Sequence, residues 1–249
     1  MGRAPKMIVL FTDFGLAGPY SGQMKAVIAA NAPGVPVIDL FADAPAFNPK
    51  ATAYLLAAHA PWFSAGTVFL GVIDPGVGGP RTPIAVEADG RWFVGPDNGL
   101  FELVIRRAAA VRSWEIIWRP EVLSTSFHGR DLFAPVAAWL ALGESPRGTL
   151  QPNDVGRRHD WPDDLAEIIY IDHYGNAVTG LRAAGLAVHA RIGIAGSMLA
   201  RATTFCDVPP GTPCWYENSS GLAELAVNQG RADRLLGLAI GTRVLVATQ

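Results

Sequence analysis

Val68-Phe69-Leu70-Gly71-Val72-Ile73-Asp74-Pro75-Gly76-Val77-Gly78-Gly79-Pro80-Arg81 is the stretch on which the reading of this chain turns. An apolar run ends on a carboxylate. A Pro-Gly turn follows, then a glycine-rich loop, then an arginine. Such a run, bounded by turn residues, reads as a buried strand. Folds of the α/β class place ligands at the carboxyl tips of such strands. A second stretch, Phe127-His128-Gly129-Arg130-Asp131, supplies the most telling histidine. These two stretches are expected to build one site.

Working outward, Ile8–Phe11 reads as a strand with Thr12-Asp13-Phe14-Gly15 at its tip. Tyr20–Asn31 carries Met24, Val27 and Ile28 at helical spacing and stops at Pro33-Gly34. Val35–Leu40 reads as a strand bearing Asp39, and Pro49–Ala60 as a helix with proline in its first turn. Pro83–Ala88 and Trp92–Gly95 flank Asp89-Gly90, a hairpin signal. Pro96-Asp97-Asn98-Gly99 is a turn. Leu100–Ala110 reads as a helix, Glu115–Trp118 as a strand and Leu132–Leu142 as a helix stopped by Gly143. This alternation predicts an α/β N-terminal domain with a largely parallel central sheet. Gln151–Asp164 is polar and reads as a linker. Beyond it come the short apolar segments Glu167–Ile171, Ala187–Ile194, Cys214–Tyr216, Leu222–Val227 and Arg243–Ala247. They predict a smaller C-terminal all-β, barrel-like domain. The expected organisation is residues 1–150 as the α/β domain, 151–166 as linker and 167–249 as the β domain.

The chain has 249 residues, half of them apolar, and a formal charge of −2. It has no basic run for a phosphate backbone, so nucleic acid is not an expected partner. No apolar stretch reaches membrane-spanning length. Met7–Phe11 is too short for the core of a signal peptide, and Lys6 stands where myristoylation needs Ser or Thr. A cytoplasmic protein is expected. Cys206 and Cys214 read as ordinary thiols.

Asp13, Asp39 and Asp74 all fall near the ends of expected strands, which points to a carboxylate-bearing crevice. Each is equally readable as a cap or turn former. A ribose diol would suit Asp13. The chain lacks HExxH, paired CxxC and calcium-loop spacing, so no metal is expected, although Asp13, Asp74 and His128 leave a metal-dependent hydrolase open. Arg81 reads as a surface arginine or an anion holder. His59, His159, His173 and His189 are less telling than His128. Asp172-His173-Tyr174-Gly175-Asn176 reads as a turn, or as a clasp for a purine. Asn218-Ser219-Ser220-Gly221 reads as a hairpin turn, or as a catch for a small polar group.

Six stretches in order resemble the S-adenosyl-L-methionine hydroxide adenosyltransferase family, relatives of the fluorinase and chlorinase enzymes. They are Thr12–Gly15, Asp74–Gly78 with Arg81, Gly95–Gly99, Phe127–Asp131, Asp172–Asn176 and Asn218-Ser219. The resemblance implies attack of water or hydroxide on the 5′ carbon of S-adenosylmethionine, giving adenosine and methionine, with no cofactor. It implies that Asp74, Arg81 and His128 orient the nucleophile. Halogenating relatives carry Tyr at the positions of Asp74 and His128, and the fluorinating member carries Ser at that of Gly129. By the same resemblance Asp13 binds ribose, Phe47 lies beside ribose or adenine, and Phe127 lies near the reacting carbon. Asp172 would hold the methionine amino group, and Tyr174, Asn176 and Phe205 would read adenine. Ser219 would hold the carboxylate, and Glu224, in a stretch usual for the hydrolases, would be a further substrate-binding residue. Ser220 replaces an Arg of the halogenases, and Ala42 stands where the family commonly has His. A homotrimer with sites at subunit interfaces is implied too. A non-catalytic adenosine or S-adenosylmethionine binding protein and a halide-using transferase are the alternatives.

Overall fold

A computed structural model of the chain describes residues 6–152 and 157–247. The expectations for Met1–Pro5 and for the middle of the linker fall outside the described residues. The chain divides into two compact units between Arg158 and His159.

The first unit contains β1 (Ile8–Thr12), α1 (Tyr20–Asn31), β2 (Val37–Phe41), α2 (Pro49–His59), β3 (Val68–Val72) and β4 (Pro83–Ala88). It continues with β5 (Arg91–Pro96), α3 (Glu102–Arg107), β6 (Val111–Ile116), α4 (Ala134–Leu142) and β7 (Gly148–Gln151). One sheet runs in the order β2-β1-β3-β5-β4-β6-β7. Every residue of β1 and β3 is buried, as expected of central strands covered on both faces. On one face Ile8, Leu10, Leu70 and Val72 pack against Met24 and Ile28 of α1 and Val136 and Leu140 of α4.

The sheet is mixed, and the expectation of a largely parallel one is corrected. Parallel pairing is confined to β2-β1-β3-β5. Asp89 and Gly90 both take positive φ, 47° and 75°, and fold β4 back antiparallel on β5. β6 and β7 then add antiparallel in turn. β6 lies earlier than the expected Glu115–Trp118, and α3 is shorter than Leu100–Ala110. β7 escaped notice because it is an edge strand with Leu150 facing out, so it carries little apolar signal.

A π turn at Gly129–Phe133 precedes α4. Pro135 offers no N–H and its ring would strike the carbonyl four residues back in a regular helix, so the chain widens there. Gly143 closes α4 in the left-handed conformation, φ 88°.

Arg157 and Arg158, within the expected linker, are fastened to α3. The Glu102 side chain is only 1% exposed and meets Arg157 Nε at 2.8 Å. It also accepts from Arg106 Nη2 at 2.7 Å and from the Arg158 amide at 3.0 Å. Burial alone raises its carboxyl, but these bonds outweigh that and bring its pKa down to about 2.

The second unit contains β8 (Leu165–Ile171), β9 (Ala177–Arg182), β10 (Arg191–Ile194), β11 (Ser197–Leu199) and β12 (Pro213–Glu217). β13 (Leu222–Val227), the short α5 (Ala232–Leu235) and β14 (Leu245–Ala247) complete it. They form two antiparallel sheets, β12-β13-β9-β8 and β11-β10-β14. Trp215 is fully buried in the core, and its Nε1 donates to the Ala190 carbonyl at 3.0 Å. β9 and β11 were not foreseen. Gly180 breaks the apolar pattern of β9 because a Cβ there would lie 2.6 Å from that of Leu165.

The lowered pKa of Glu102 fixes a pH dependence. Its contribution is fully present above about pH 4.5 and is lost as pH falls towards 2, an effect of about 3 kcal/mol. Denaturant titrations of wild type and Glu102→Gln at pH 7 and pH 3 should therefore show a large gap that narrows in acid. An equal gap at both values would show that the ion pairs do not act this way.

Candidate active site

β3 ends at Val72, and Asp74 stands just beyond its tip. The loop returns to Arg81, whose Nε donates to the two Asp74 oxygens at 3.0 and 2.9 Å, with Nη2 adding a further bond. The Arg81 and Asp74 side chains are 11% and 5% exposed. This corrects the surface reading of Arg81. The same Nη2 lies 2.8 Å from His128 Nδ1, and the guanidinium stacks over Phe133 at 5.2 Å.

The Arg81 contact determines the histidine tautomer. A guanidinium has only donors, so Nδ1 must accept. A neutral imidazole then carries its proton on Nε2. Burial lowers the His128 pKa, and the charge of Arg81 lowers it further, partly opposed by Asp74.

Two devices bring His128 to this place. Gly78 has φ 77°, and a Cβ on it would lie 2.5 Å from the Thr125 carbonyl, so only glycine lets the Asp74–Arg81 loop rest on the segment before His128. That segment is tied by Asp131, which accepts from the Ser124 amide at 2.9 Å and from Arg130 Nε at 2.6 Å. The Asp131 carboxyl is lowered, chiefly by Arg130. Arg130 in turn covers the Phe127 ring at 5.2 Å.

A cavity of about 340 Å³ opens at these strand tips, walled by Asp13, Phe14, Tyr20, Phe47, Asp74, Phe127 and His128 among others. Phe14, Tyr20 and Phe127 meet edge-on or tilted, with centroids 5.4 to 5.8 Å apart. Phe14 and Tyr20 were not singled out from sequence. Their only signal was position, between the Asp13 turn and the start of α1. Phe47 is 77% exposed and takes φ 57°, unusual for a bulky residue. Its amide donates to Asp13 Oδ2 at 3.0 Å. Burial raises the Asp13 carboxyl, and the Phe47 amide opposes this.

Asp39 does not join the cavity. It pairs with Leu10 inside the sheet, short of the strand tips, and forms an exposed ion pair with Lys25. The expected three-carboxylate crevice therefore holds two. Among the described residues no three His, Cys, Asp or Glu side chains are grouped to hold a metal ion.

The second unit gathers the other expected residues. Asp172 accepts from the Asn176 amide at 2.9 Å and from Asn176 Nδ2 at 3.0 Å, so this stretch is a turn closed by its own side chains. Tyr174, Asn176 and Phe205 line a recess of about 610 Å³ with Cys206 and Arg231. Phe205 packs edge-on against Tyr216 at 4.9 Å. Glu224 is buried and accepts from Tyr216 Oη and, at 2.9 Å, from Asn218 Nδ2. Burial raises the Glu224 carboxyl, with the nearby Asp172 adding to the rise. Asn218 Oδ1 accepts from the Ser220 and Leu222 amides at 2.9 and 3.0 Å, which leaves Ser219 exposed on the turn. Cys206 and Cys214 are free thiols, the first exposed and the second buried.

Residues 8–149 match the family description SAM hydroxide adenosyltransferase N-terminal domain, and residues 166–245 match its C-terminal domain. A relative from Thermus thermophilus named (R)-S-adenosyl-L-methionine hydrolase is 39% identical over 95% of this chain and 98% of its own. One of the same name from Salinispora arenicola is 36% identical over 94% and 95%. A protein named Fluorinase, from Nocardia brasiliensis, is 24% identical over 91% of each chain. A crystal structure of an uncharacterized conserved protein from Thermotoga maritima superposes with a TM-score of 0.86 at 29% identity, covering 97% of this chain and all of that one. With both domains matched in order along the sequence, the chain belongs to the SAM hydroxide adenosyltransferase family.

Proposed function

We propose that this protein hydrolyses S-adenosyl-L-methionine, with water displacing methionine from the ribose 5′ carbon to give adenosine and L-methionine. The carrying observation is the single bonded unit of Asp74, Arg81 and His128 beside an aromatic cavity, in a chain 39% identical to a named hydrolase. The (R) form at sulfur, which the relatives' name specifies, is the favoured epimer. The substrate is a sulfonium and leaves as a neutral thioether, so departure needs no acid. The weak partner is water.

In this reading the water donates a hydrogen to a free lone pair of Asp74 and accepts one from His128 Nε2–H. Arg81 locks both partners and fills the His128 Nδ1 lone pair, so the histidine orients water as a donor and does not take its proton. As the water oxygen bonds to the 5′ carbon, the carbon–sulfur pair goes to sulfur, and one proton leaves to solvent. The site's task is alignment of oxygen, carbon and sulfur. The faces of Phe14, Tyr20 and Phe127 favour a cationic ligand. Asp13 takes ribose hydroxyls, and Phe47 covers the ring. Tyr174, Asn176 and Phe205 receive adenine. Asp172 and Ser219 serve the methionine end, and Glu224, buried against Tyr216 and Asn218, supports the turn that carries Ser219.

The family resemblance extends this reading to a barrel-like C-terminal unit and a cytoplasmic homotrimer, with each site shared between one subunit's N-terminal unit and its neighbour's C-terminal unit. No helix among the described residues is long and apolar enough to cross a membrane. A halide-using reaction is disfavoured, because Asp74, His128 and Gly129 stand where the halogenating relatives carry other residues.

Incubation in oxygen-18 water should release adenosine and methionine in equal amounts, with label in the 5′ hydroxyl. Asp74→Ala should cost a hundredfold or more in kcat, on the order of losing one catalytic hydrogen-bonding group. Binding of substrate without turnover would instead mark a non-catalytic binder, and a halogenated adenosine in chloride or fluoride would mark the transferase. A charged imidazole cannot accept from Arg81, so activity should fall in acid with a midpoint below 6.5, read from the kcat/KM profile, which reports the free enzyme. Phe47→Gly should raise the melting temperature slightly by relieving φ strain, yet raise KM by removing the ring from the cavity.

A further inference from the structure

The stretch Gly95-Pro96-Asp97-Asn98-Gly99, at the end of β5, contributes no residue to the cavity lining, yet it holds both ends of the loop that carries Asp74 and Arg81. Parallel pairing between β3 and β5 is registered only as far as Leu70 with Val94. Beyond that the two backbones crowd together. A Cβ on Gly95 would lie 2.1 Å from the Gly71 carbonyl oxygen, so glycine alone permits this approach. The Ile73 carbonyl, one residue past the end of β3, has left the ladder, and Asn98 Nδ2 donates to it at 2.7 Å. Asn98 Oδ1 accepts from the Leu100 amide at 3.3 Å, which fixes the orientation of the carboxamide. At the other end the Asp97 amide donates to the Thr82 carbonyl at 2.8 Å. Ile73 and Thr82 immediately flank Asp74 and Arg81.

We propose that Asn98 is a positioning residue for the reaction, extending the sheet by one side-chain rung so that Asp74 is held against Arg81 and His128. The inference rests on the functional reading of that site. Between the two anchors the loop is rich in glycine, and its Gly76, Gly78 and Gly79 supply no side chain to hold it. A loop of that kind anchored at one end would let Asp74 drift, and a displacement of about 1 Å is enough to cost a large factor in rate. The Thr82 anchor is made by backbone. The Ile73 anchor is made by a side chain and can be removed.

The experiment measures kcat, KM and melting temperature for wild type, Asn98→Ala and Asn98→Asp, with Asn98→Ala repeated in the Asp74→Ala background. Asn98→Asp keeps the shape but turns an oxygen toward the Ile73 carbonyl. Both single variants should lose about tenfold to a hundredfold in kcat with KM within about twofold. Asn98→Ala should add nothing once Asp74 is already alanine, because its effect passes through that carboxylate. Unchanged kcat, a rise in KM alone, or an equal loss in the Asp74→Ala background would overturn the inference. So would failure of both single variants to fold, which would leave a purely structural role. A second readout needs no substrate: the NMR titration of the His128 ring should shift in Asn98→Ala and stay at the wild-type value if Asn98 is uncoupled from the site. A wild-type protein that releases no adenosine would sink the functional reading, while this titration would still decide whether Asn98 governs the Asp74–Arg81–His128 unit.

Discussion

The guanidinium of Arg81 donates at once to Asp74 and to His128, and most of the surrounding structure serves that double bond. A planar group with donors only, held by a carboxylate on one side and an imidazole nitrogen on the other, leaves little freedom to either partner. It fixes the histidine tautomer, helps hold the ring neutral, and pairs with the Asp74 carboxylate. Taking such a group to low exposure is costly unless its bonds are good. Here the carboxylate is bidentate and Phe133 covers the face of the cation.

That constraint explains features that look unrelated. The loop needs Gly78 because the Thr125 carbonyl occupies the place of a Cβ. The segment carrying His128 needs Asp131 and Arg130 to tie it down, and it runs into a π turn that the Pro135 ring enforces at the start of α4. The aromatic wall of the cavity grows from the same elements, with Phe127 from this segment and Phe14 and Tyr20 from the end of β1 and the start of α1. The site sits where the sheet is still parallel, at the carboxyl tips of β1 and β3, which is where α/β sheets leave a crevice. The hairpin at Asp89-Gly90 ends that parallel region, and the strands after it extend the sheet to Trp114 and Leu150 without adding to the cavity.

Two of the candidate-site residues show strain or burial held by neighbours. Phe47 sits at positive φ with its amide on Asp13, so one carboxylate both lines the cavity and fastens the backbone that carries the Phe47 ring. In the second unit Glu224 is buried and satisfied by Tyr216 and Asn218, which gives it more the character of a support for that turn than of an exposed ligand group.

What the sequence determined by itself was local and chemical. Apolar runs ending on Asp13 and Asp74 announced strand tips, Tyr20–Asn31 announced its helix to the residue, and Asp89-Gly90 announced its hairpin, because short-range pattern and turn sterics are written in adjacent residues. The Asp74 and His128 stretches were legible for the same reason. Tertiary structure decided whatever depends on partners distant in the chain. Residue pattern alone left Arg81 as a surface arginine or an anion holder, and only the family resemblance grouped it with His128, because nothing near it in sequence reveals that it is buried against a histidine 47 residues away. Asp39 looked like a member of the crevice because strand register, which turns it to Lys25, is a property of the sheet. β7 and β9 stayed hidden because an exposed edge and a crowded glycine erase the apolar alternation that marks a strand. Asn98 passed as an ordinary turn residue, since only the closeness of β3 and β5 puts its carboxamide on the carbonyl before Asp74.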